Sequence, residues 1–153
     1  MAGELAPDGT SDKAILIDVV KGKIGDVNYR DSIDTIRKAI GTSRIKNLVE
    51  ELEGTPHNFY EIDISGHKIY KHWNGTSLED PAFKIKSGLG VGASVEDFRK
   101  VYGKGKFIGG EGIVNLCFES REQGYSFCIS DLIEGYEDAT RLNEMTVRSL
   151  WIR

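Results

Sequence analysis

The feature that most constrains the fold is a short, capped, amphipathic helix that occurs twice in the chain. In the clearer copy, Ser94 stands where its hydroxyl can accept a hydrogen bond from an amide one turn into a helix, and Gly103 is a typical left-handed helix end. The residues between them form one apolar stripe at helical spacing: Val95, Phe98, Val101 and Tyr102. A helix of about two and a half turns is marginal alone, so we expect it to pack on a sheet.

A fainter copy of this segment lies near the start of the chain, at residues 31–41. Its capping serine, its Arg-Lys pair and its terminal glycine match those of residues 93–103: Ser32, Arg37, Lys38 and Gly41 align with Ser94, Arg99, Lys100 and Gly103. Self-similarity at a fixed spacing is typical of two copies of one supersecondary unit. The alternative is a chance similarity between two capped amphipathic helices.

Composition excludes several classes of function. The chain has 153 residues, enough for one ordinary domain or two small subdomains that share a core. Its net charge of −4, with mixed signs, argues against a broad nucleic-acid interface, which needs a basic face. No apolar run is long enough to form a transmembrane segment. The first residues have neither a basic segment nor an apolar core, so we expect residues 1–13 to be a disordered leader rather than a secretory signal.

The first half contains a clear β-hairpin. A two-residue Ser65-Gly66 loop sets Ile62 opposite Ile69 and places Asp63 opposite Lys68, a favourable cross-strand charge pair. One face then carries the core residues Tyr60, Ile62, Ile64 and Ile69, with Trp73 also expected in the core. The other face carries Phe59, Glu61, Asp63, Lys68, Tyr70 and His72.

The flanking segments are less distinct. Residues 14–20 read as a strand, and residues 83–86 as a shorter one. Residues 42–57 fit either a helix or an extended segment, and the correspondence between the two copies favours the extended form. We expect residues 74–81 to link the two copies, which sets the predicted units at 14–76 and 77–153.

The second half contains a matching hairpin. The tetrapeptide Arg121-Glu-Gln-Gly124 suits a four-residue loop between residues 113–120 and 125–129. This register sets Cys117 opposite Cys128 on the face away from the core, where they form either a disulfide or two reduced apolar fillers. We expect loops at 104–112 and 131–143, and a final strand at 146–152.

The glycine-rich stretch before the second helix suggests a possible anion site. Gly88-Leu-Gly-Val-Gly-Ala93 fits the loose dinucleotide fingerprint, so Gly90, Gly92 and Ser94 are candidate ligands of an anion or nucleotide. The helix is too short, however, and the chain then enters a hairpin instead of a parallel strand. The favoured interpretation is a tight turn where the helix approaches the sheet closely.

No metal or cofactor site is expected. His67 and His72 lie on opposite faces of their strand, so they cannot share an ion. The best indication of function is the strand face that carries Phe59, Glu61, Tyr70 and His72, because exposed aromatic residues can anchor a protein partner. The alternative is that another part of the chain covers these side chains.

The pattern of glycine-introduced helix, hairpin and late strand resembles the tandem modules of the β-lactamase inhibitor protein and of SmpA/OmlA-type bacterial envelope lipoproteins. The segments that carry this resemblance are Gly88 to Gly103 and the closing Thr146 to Ile152. It implies an α+β fold of two tandem repeats, each a short helix packed on antiparallel strands, which form a shared sheet with a concave face.

The same resemblance implies a function. It suggests a non-enzymatic protein, without cofactor, that is exported to the periplasm or anchored at the outer membrane. Such a protein would bind an envelope protein or a cell-wall component through its sheet face. The alternative is a small cytoplasmic sensor or enzyme that binds an anion or nucleotide in the loop from Gly88 to Ser94.

Overall fold

The fold consists mostly of β-strands with a few short helices. A computed structural model describes residues 13–110, 113–133 and 139–153; the predicted leader lies outside these ranges except for its last residue. In chain order the elements are β1 (Ile15–Asp18), β2 (Lys23–Ile24), β3 (Val27–Asn28), α1 (Ile33–Ile40), β4 (Ile45–Leu52), β5 (Thr55–Ile64), β6 (His67–His72), β7 (Gly75–Leu78), β8 (Phe83–Ile85), α2 (Val95–Tyr102), β9 (Lys106–Gly110), β10 (Ile113–Ser120), β11 (Tyr125–Ile133), α3 (Ala139–Asn143) and β12 (Leu150–Ile152).

The strands form two sheets, which agrees with the expected α+β class. The larger sheet has eight antiparallel strands in the order β4-β5-β6-β7-β12-β11-β10-β9. The smaller sheet has the order β3-β2-β1-β8, and its β1 and β8 strands run parallel. Sequence patterns did not indicate this second sheet, because β2 and β3 are only two residues long and carry no readable alternation.

Local patterns predicted both hairpins correctly. In the β5–β6 hairpin, Ile62 faces Ile69 and Asp63 faces Lys68, and both residues of the Ser65-Gly66 loop have positive φ, as the turn requires. In the β10–β11 hairpin, Phe118 faces Phe127 and Cys117 faces Cys128. The extended interpretation of residues 42–57 is also confirmed, because β4 occupies Ile45–Leu52 and β5 begins at Thr55.

The expected linker at 74–81 is wrong. Strand β7 occupies its centre and pairs with β6 on one side and β12 on the other, so it joins the two halves of the larger sheet. The boundary predicted between residues 76 and 77 falls within this strand. Thr76 and Leu78 are buried and alternate with more exposed neighbours, but turn-forming residues on either side obscured this short pattern.

Two expected loops also contain regular structure. Strand β9 pairs with β10 inside the segment 104–112, and its last predicted residues, 111–112, lie outside the described ranges. In the segment 131–143, strand β11 continues to Ile133 and α3 begins at Ala139, while residues 134–138 are not described. Leu132 and Leu142 are buried, and their apolar side chains explain why these flanks pack on the protein.

The two helices begin and end at the predicted residues, but the terminal glycines combine φ of 90° and 92° with an extended ψ, which is not the expected left-handed conformation. Ser32 Oγ accepts a hydrogen bond from the Thr35 amide, Ser94 Oγ accepts one from the Asp97 amide, and both terminal glycines have positive φ. One residue of the expected α2 stripe, Val101, instead faces solvent with 55% of its surface exposed. The helix turns its other stripe residues inward because the core lies between the helices and the two sheets.

An ion pair connects the smaller sheet to the larger one. Arg44 Nη1 and Nη2 donate to the Asp26 carboxylate at 2.7 and 2.9 Å, and Arg44 Nε donates to the Asp63 carbonyl at 2.8 Å. The hydrogen bonds from Arg44 hold the pKa of Asp26 below its ordinary value of 3.8, against the opposing effect of desolvation.

Substitution of Arg44 by methionine is therefore expected to lower the free energy of unfolding by about 1 kcal/mol at pH 7, a value reduced for the exposure of Asp26. Because the folded pKa is depressed, this contribution is complete above pH 3.8 and disappears as the pH falls through the folded pKa. Urea denaturation at several pH values measures this contribution to the free energy of unfolding. The matched control is Lys100→Met, which removes an exposed helix pair at 4.0 Å; equal losses in the two variants would contradict a special role for Arg44.

A candidate binding groove

A groove with a volume of about 610 Å³ lies on the outward face of the larger sheet. Three of the four residues predicted to bind a partner line it: Phe59, Tyr70 and His72. Glu61 shares this face but does not line the groove, and its carboxylate lies 3.9 Å from Lys68 Nζ. The structure thus brings the predicted aromatic residues together and leaves the carboxylate at the side.

The groove is built by alternation along strands that come from both halves of the chain. Tyr70 of β6 lies opposite Ser77 of β7, which lies opposite Trp151 of β12. The same row continues through Cys128 and Cys117. Because side chains opposite one another project from the same face, five neighbouring strands contribute one continuous row to the groove.

Aromatic rings form the floor of the groove. Phe59 stacks on His72 with ring centroids 5.0 Å apart and an interplanar angle of 6°. His72 in turn contacts Trp151 at 5.1 Å, and Phe59 contacts Tyr70 at 6.4 Å. These rings are held by strands instead of loops, so they lose little conformational freedom when a partner binds.

Trp151 is the residue of this floor that sequence analysis missed. Its indole extends over Gly75, where an added Cβ would lie only 2.5 Å from Trp151 Nε1. The alternation of buried Leu150 and Ile152 around it was the available signal, but apolar residues on both faces of the final strand left its side undetermined.

The structure corrects the expectation for the other tryptophan. Trp73 was assigned to the core, yet 82% of its surface is exposed. It lies in the tight turn between β6 and β7, where His72 already faces Gly75. The face alternation therefore ends one residue before Trp73, and the side chain projects beyond the sheet.

A disulfide links the two cysteines in the groove wall. Cys117 and Cys128 lie opposite each other on adjacent strands, and their sulfur atoms are bonded. Cys128 is also the direct cross-strand neighbour of Trp151. The bond therefore ties together the two strands beside the aromatic floor.

The far end of the groove is polar. The hydroxyls of Ser130 and Ser149 lie 2.6 Å apart, and Ser149 Oγ donates to Asp131 Oδ2 at 3.3 Å. Asp131 has a positive φ of 63°, next to a register shift in β10 and β11. A bulge of this kind redirects side chains, and here it supplies hydrogen-bonding groups beside an apolar floor.

His72 also has polar neighbours, which raises the question of nucleophilic catalysis. Its Nε2 lies 3.3 Å from Ser77 Oγ, and its Nδ1 lies 4.0 Å from Glu50 Oε1. Ser77, however, sits within a strand paired on both sides, where backbone amides are used by the sheet and cannot form an oxyanion hole. The backbone amides beside Ser77 are therefore not available to a bound ligand.

Burial of His72 makes the stability of the protein depend on pH. Desolvation lowers its pKa below the ordinary 6.5, although the charge of Glu50 opposes this effect. Because the pKa of His72 is lower in the folded state than in the unfolded state, the folded protein is fully stable with respect to this residue above pH 6.5. The free energy of unfolding then decreases as the pH falls through the folded pKa. We expect His72→Gln to reduce the loss of unfolding free energy between pH 7 and 5, measured by urea denaturation. His57→Gln is the control, and an unchanged pH profile in His72→Gln would contradict this assignment.

The alternative anion site uses its own hydrogen-bonding groups internally. The Gly92 amide donates to the Val147 carbonyl at 2.9 Å, and Ser94 Oγ accepts from the Asp97 amide at 3.1 Å. Gly90 lies so close to β8 that an added Cβ would be 2.4 Å from the Phe83 carbonyl oxygen. The geometry therefore supports the tight-turn interpretation of these glycines.

The described residues contain no group of three or more His, Cys, Asp or Glu side chains that could hold a metal ion. Within the same ranges, no helix is both long and apolar enough to cross a membrane.

Comparison with known proteins gives information about the fold alone. No family model matches the chain, and no curated protein matches it. The crystal structure of the uncharacterized protein yfeY from Escherichia coli is similar, with a TM-score of 0.51 and 15% sequence identity. The match covers 93% of this chain and 97% of that one. The similarity in fold therefore extends over most of the length of both chains.

Proposed function

We propose that this protein is a non-enzymatic binding module of the bacterial envelope that captures another protein in its sheet groove. The observation that carries the proposal is the row of aromatic rings, Phe59, His72 and Trp151, on the floor of the groove. Tyr70 lines the same floor, and Glu61 would contact the partner at the side. A cell-wall component is the other class of ligand that this face could bind.

The composition of the groove is that of a protein-binding hot spot. Tryptophan and tyrosine contribute most to binding energy when they lie at the centre of a contact and polar groups surround them. Here the aromatic floor is flanked by Ser130, Asp131 and Asn115 at one end and by Arg153 at another. A partner segment could therefore bury apolar side chains at the centre and form hydrogen bonds at the rim.

Two features support a location in the envelope, in the periplasm or anchored at the outer membrane. Disulfides persist in oxidising compartments such as the bacterial periplasm, and Cys117 is bonded to Cys128. The sequence also resembles the tandem envelope modules described above. The fold itself does not indicate where in the cell the protein is located.

We also propose that the chain is a tandem repeat. Each capped helix is followed by strands that occupy one half of the larger sheet, β4 to β7 after α1 and β9 to β12 after α2. The order of the strands in one half mirrors that in the other, and β7 meets β12 at the centre. The groove, in this view, is the concave face expected of such a repeat.

The function is tested by crosslinking in the bacterium that encodes the protein. A photoreactive amino acid at Ser77, in the groove, is expected to capture a partner that the same group at Val101 of α2 does not. Binding of that purified partner is then measured by calorimetry. We expect the double variant Phe59→Ala/Tyr70→Ala, and separately Trp151→Ala, to weaken the affinity by about 30-fold or more.

The matched control is Trp73→Ala, because Trp73 is the other tryptophan and does not line the groove. This variant should bind the partner with an affinity within about threefold of the wild type. Circular dichroism establishes that each variant is folded. If the double variant binds the partner as tightly as the wild type, the assignment of these residues is wrong.

A further inference from the structure

A second site lies around Lys71 and Trp73, next to the groove, and His72, Asn74 and Arg153 line both. Two cavities of about 240 and 530 Å³ share these residues as part of their walls. Lys71 alternates with Tyr70 and His72 along β6, so it faces away from the groove. The site lies where the end of β6 meets the connection from β3 to α1, since Tyr29 and Arg30 also line the smaller cavity.

The Lys71 ammonium retains unused hydrogen-bonding capacity. Its Nζ donates to the Tyr29 carbonyl at 2.9 Å, and among the described residues it forms no ion pair with a carboxylate. An ammonium group has three donors, so two remain for a ligand. Desolvation lowers the pKa of Lys71, opposed by the charge of Asp31, as expected for a cation without a close counter-ion.

The charged side chains that line the smaller cavity are all basic. Its charged lining residues are Arg30, Lys71 and Arg153, and no aspartate or glutamate of the described chain lines it. The Arg30 guanidinium donates to main-chain oxygens, among them those of Val19 and Val20, so it contributes charge more than free donors. Asp31 lines only the larger cavity, which makes the smaller one the better anion site.

Tyr29 contributes its main-chain carbonyl to this site, where it accepts the hydrogen bond from Lys71 Nζ. The residue is only 2% exposed and its hydroxyl is fully buried, so the phenol belongs to the core and is not accessible to a ligand. Desolvation raises the pKa of Tyr29 to about 12, against the effect of the Arg30 charge, so the hydroxyl keeps its proton at neutral pH.

Trp73 offers an exposed ring at the mouth of both cavities. An indole face beside a lysine is suited to a ligand that combines a planar apolar part with a negative group.

We propose that this site binds an oxyanion, a carboxylate or a phosphate, carried by a ligand whose planar apolar part stacks on Trp73. Lys71 would hold the anion by direct hydrogen bonds. Arg30 and Arg153 would add favourable charge. The proposal does not depend on a partner in the groove.

The test is an NMR titration of the two tryptophan indole N–H signals. The probes are phenyl phosphate and benzoate, which distinguish the two oxyanions, and neutral benzyl alcohol. We expect at least one anionic probe to shift the Trp73 signal with a dissociation constant of about 1 mM, tenfold or more tighter than benzyl alcohol. Lys71→Met should weaken that binding at least tenfold, and Lys71→Arg should largely retain it.

Two variants serve as controls. Lys68→Met removes another lysine of β6, one that is paired with Asp63 at 2.7 Å, and Trp151→Ala removes the groove tryptophan. Both should bind the anionic probe as the wild type does. Equal binding of benzyl alcohol, unchanged affinity in Lys71→Met, or no shift of Trp73 up to about 50 mM of either anion would overturn the proposal. None of these results would affect the groove assignment, which crosslinking at Ser77 tests separately.

Discussion

Replacement of Phe98 by alanine is expected to lower the free energy of unfolding by about 3–5 kcal/mol. Phe98 is fully buried on α2, and its ring lies 6.3 Å from that of Phe118 and 6.2 Å from that of Phe127. These partners belong to the two strands of the second hairpin. The substitution therefore leaves a cavity between the helix and the sheet, and it also removes the aromatic contacts that hold α2 in place.

Urea denaturation followed by circular dichroism measures this loss. Val101→Ala is the control, because it shortens an apolar side chain in the same helix at a position that is 55% exposed. We expect the control to change the unfolding free energy by less than about 0.5 kcal/mol. A loss below about 1 kcal/mol in Phe98→Ala would contradict the packing of α2 on the second hairpin.

Loss of the disulfide is expected to lower the free energy of unfolding by about 3 kcal/mol. Cys117 and Cys128 are 11 residues apart in sequence, and the bond closes this loop in the unfolded chain as well as in the folded one. In the chain-entropy description, removal of the bond restores freedom to the unfolded state and leaves the folded hairpin almost unchanged. The folded groove should keep its shape, because the sheet ladder still pairs the two strands.

The measurement compares urea denaturation of the protein purified without reductant with and without added dithiothreitol. The double variant Cys117→Ala/Cys128→Ala is the control, since it should unfold near the midpoint of the reduced protein and should not respond to the reductant. If reductant leaves the midpoint of the wild-type protein unchanged, the cysteines are not bridged in solution. That result would also remove one of the two arguments for the envelope.

Much of the local structure could be predicted because it depends on neighbouring residues. The capping serines and terminal glycines determine where α1 and α2 begin and end, through hydrogen bonds within one turn. Loop length determines the hairpin registers, and from these registers the faces of Phe59, Tyr70 and His72 follow directly. The candidate groove was therefore partly predictable.

The parts of the fold and of the groove that could not be predicted depend on contacts between residues that are distant in sequence. Strand β7 could not be recognised from four residues between turns; it becomes a strand because β6 and β12 are placed to pair with both of its edges. The two tryptophans show the same limit. Both stand next to buried or half-buried strand residues, yet Trp151 lies over Gly75 of a neighbouring strand, whereas Trp73 passes the end of the sheet.

Sequence alone thus determined the elements whose hydrogen bonds and turns are local: the capped helices, the two hairpins and the opposition of Cys117 and Cys128. Only the tertiary structure decided the order of the strands, the second sheet and the joining of β7 to β12. It also brought Trp151 to the groove, and Tyr29 and Lys71 to the neighbouring cavity. The physical reason is that burial depends on which distant strand covers a side chain, and that information is not present in the residues around it.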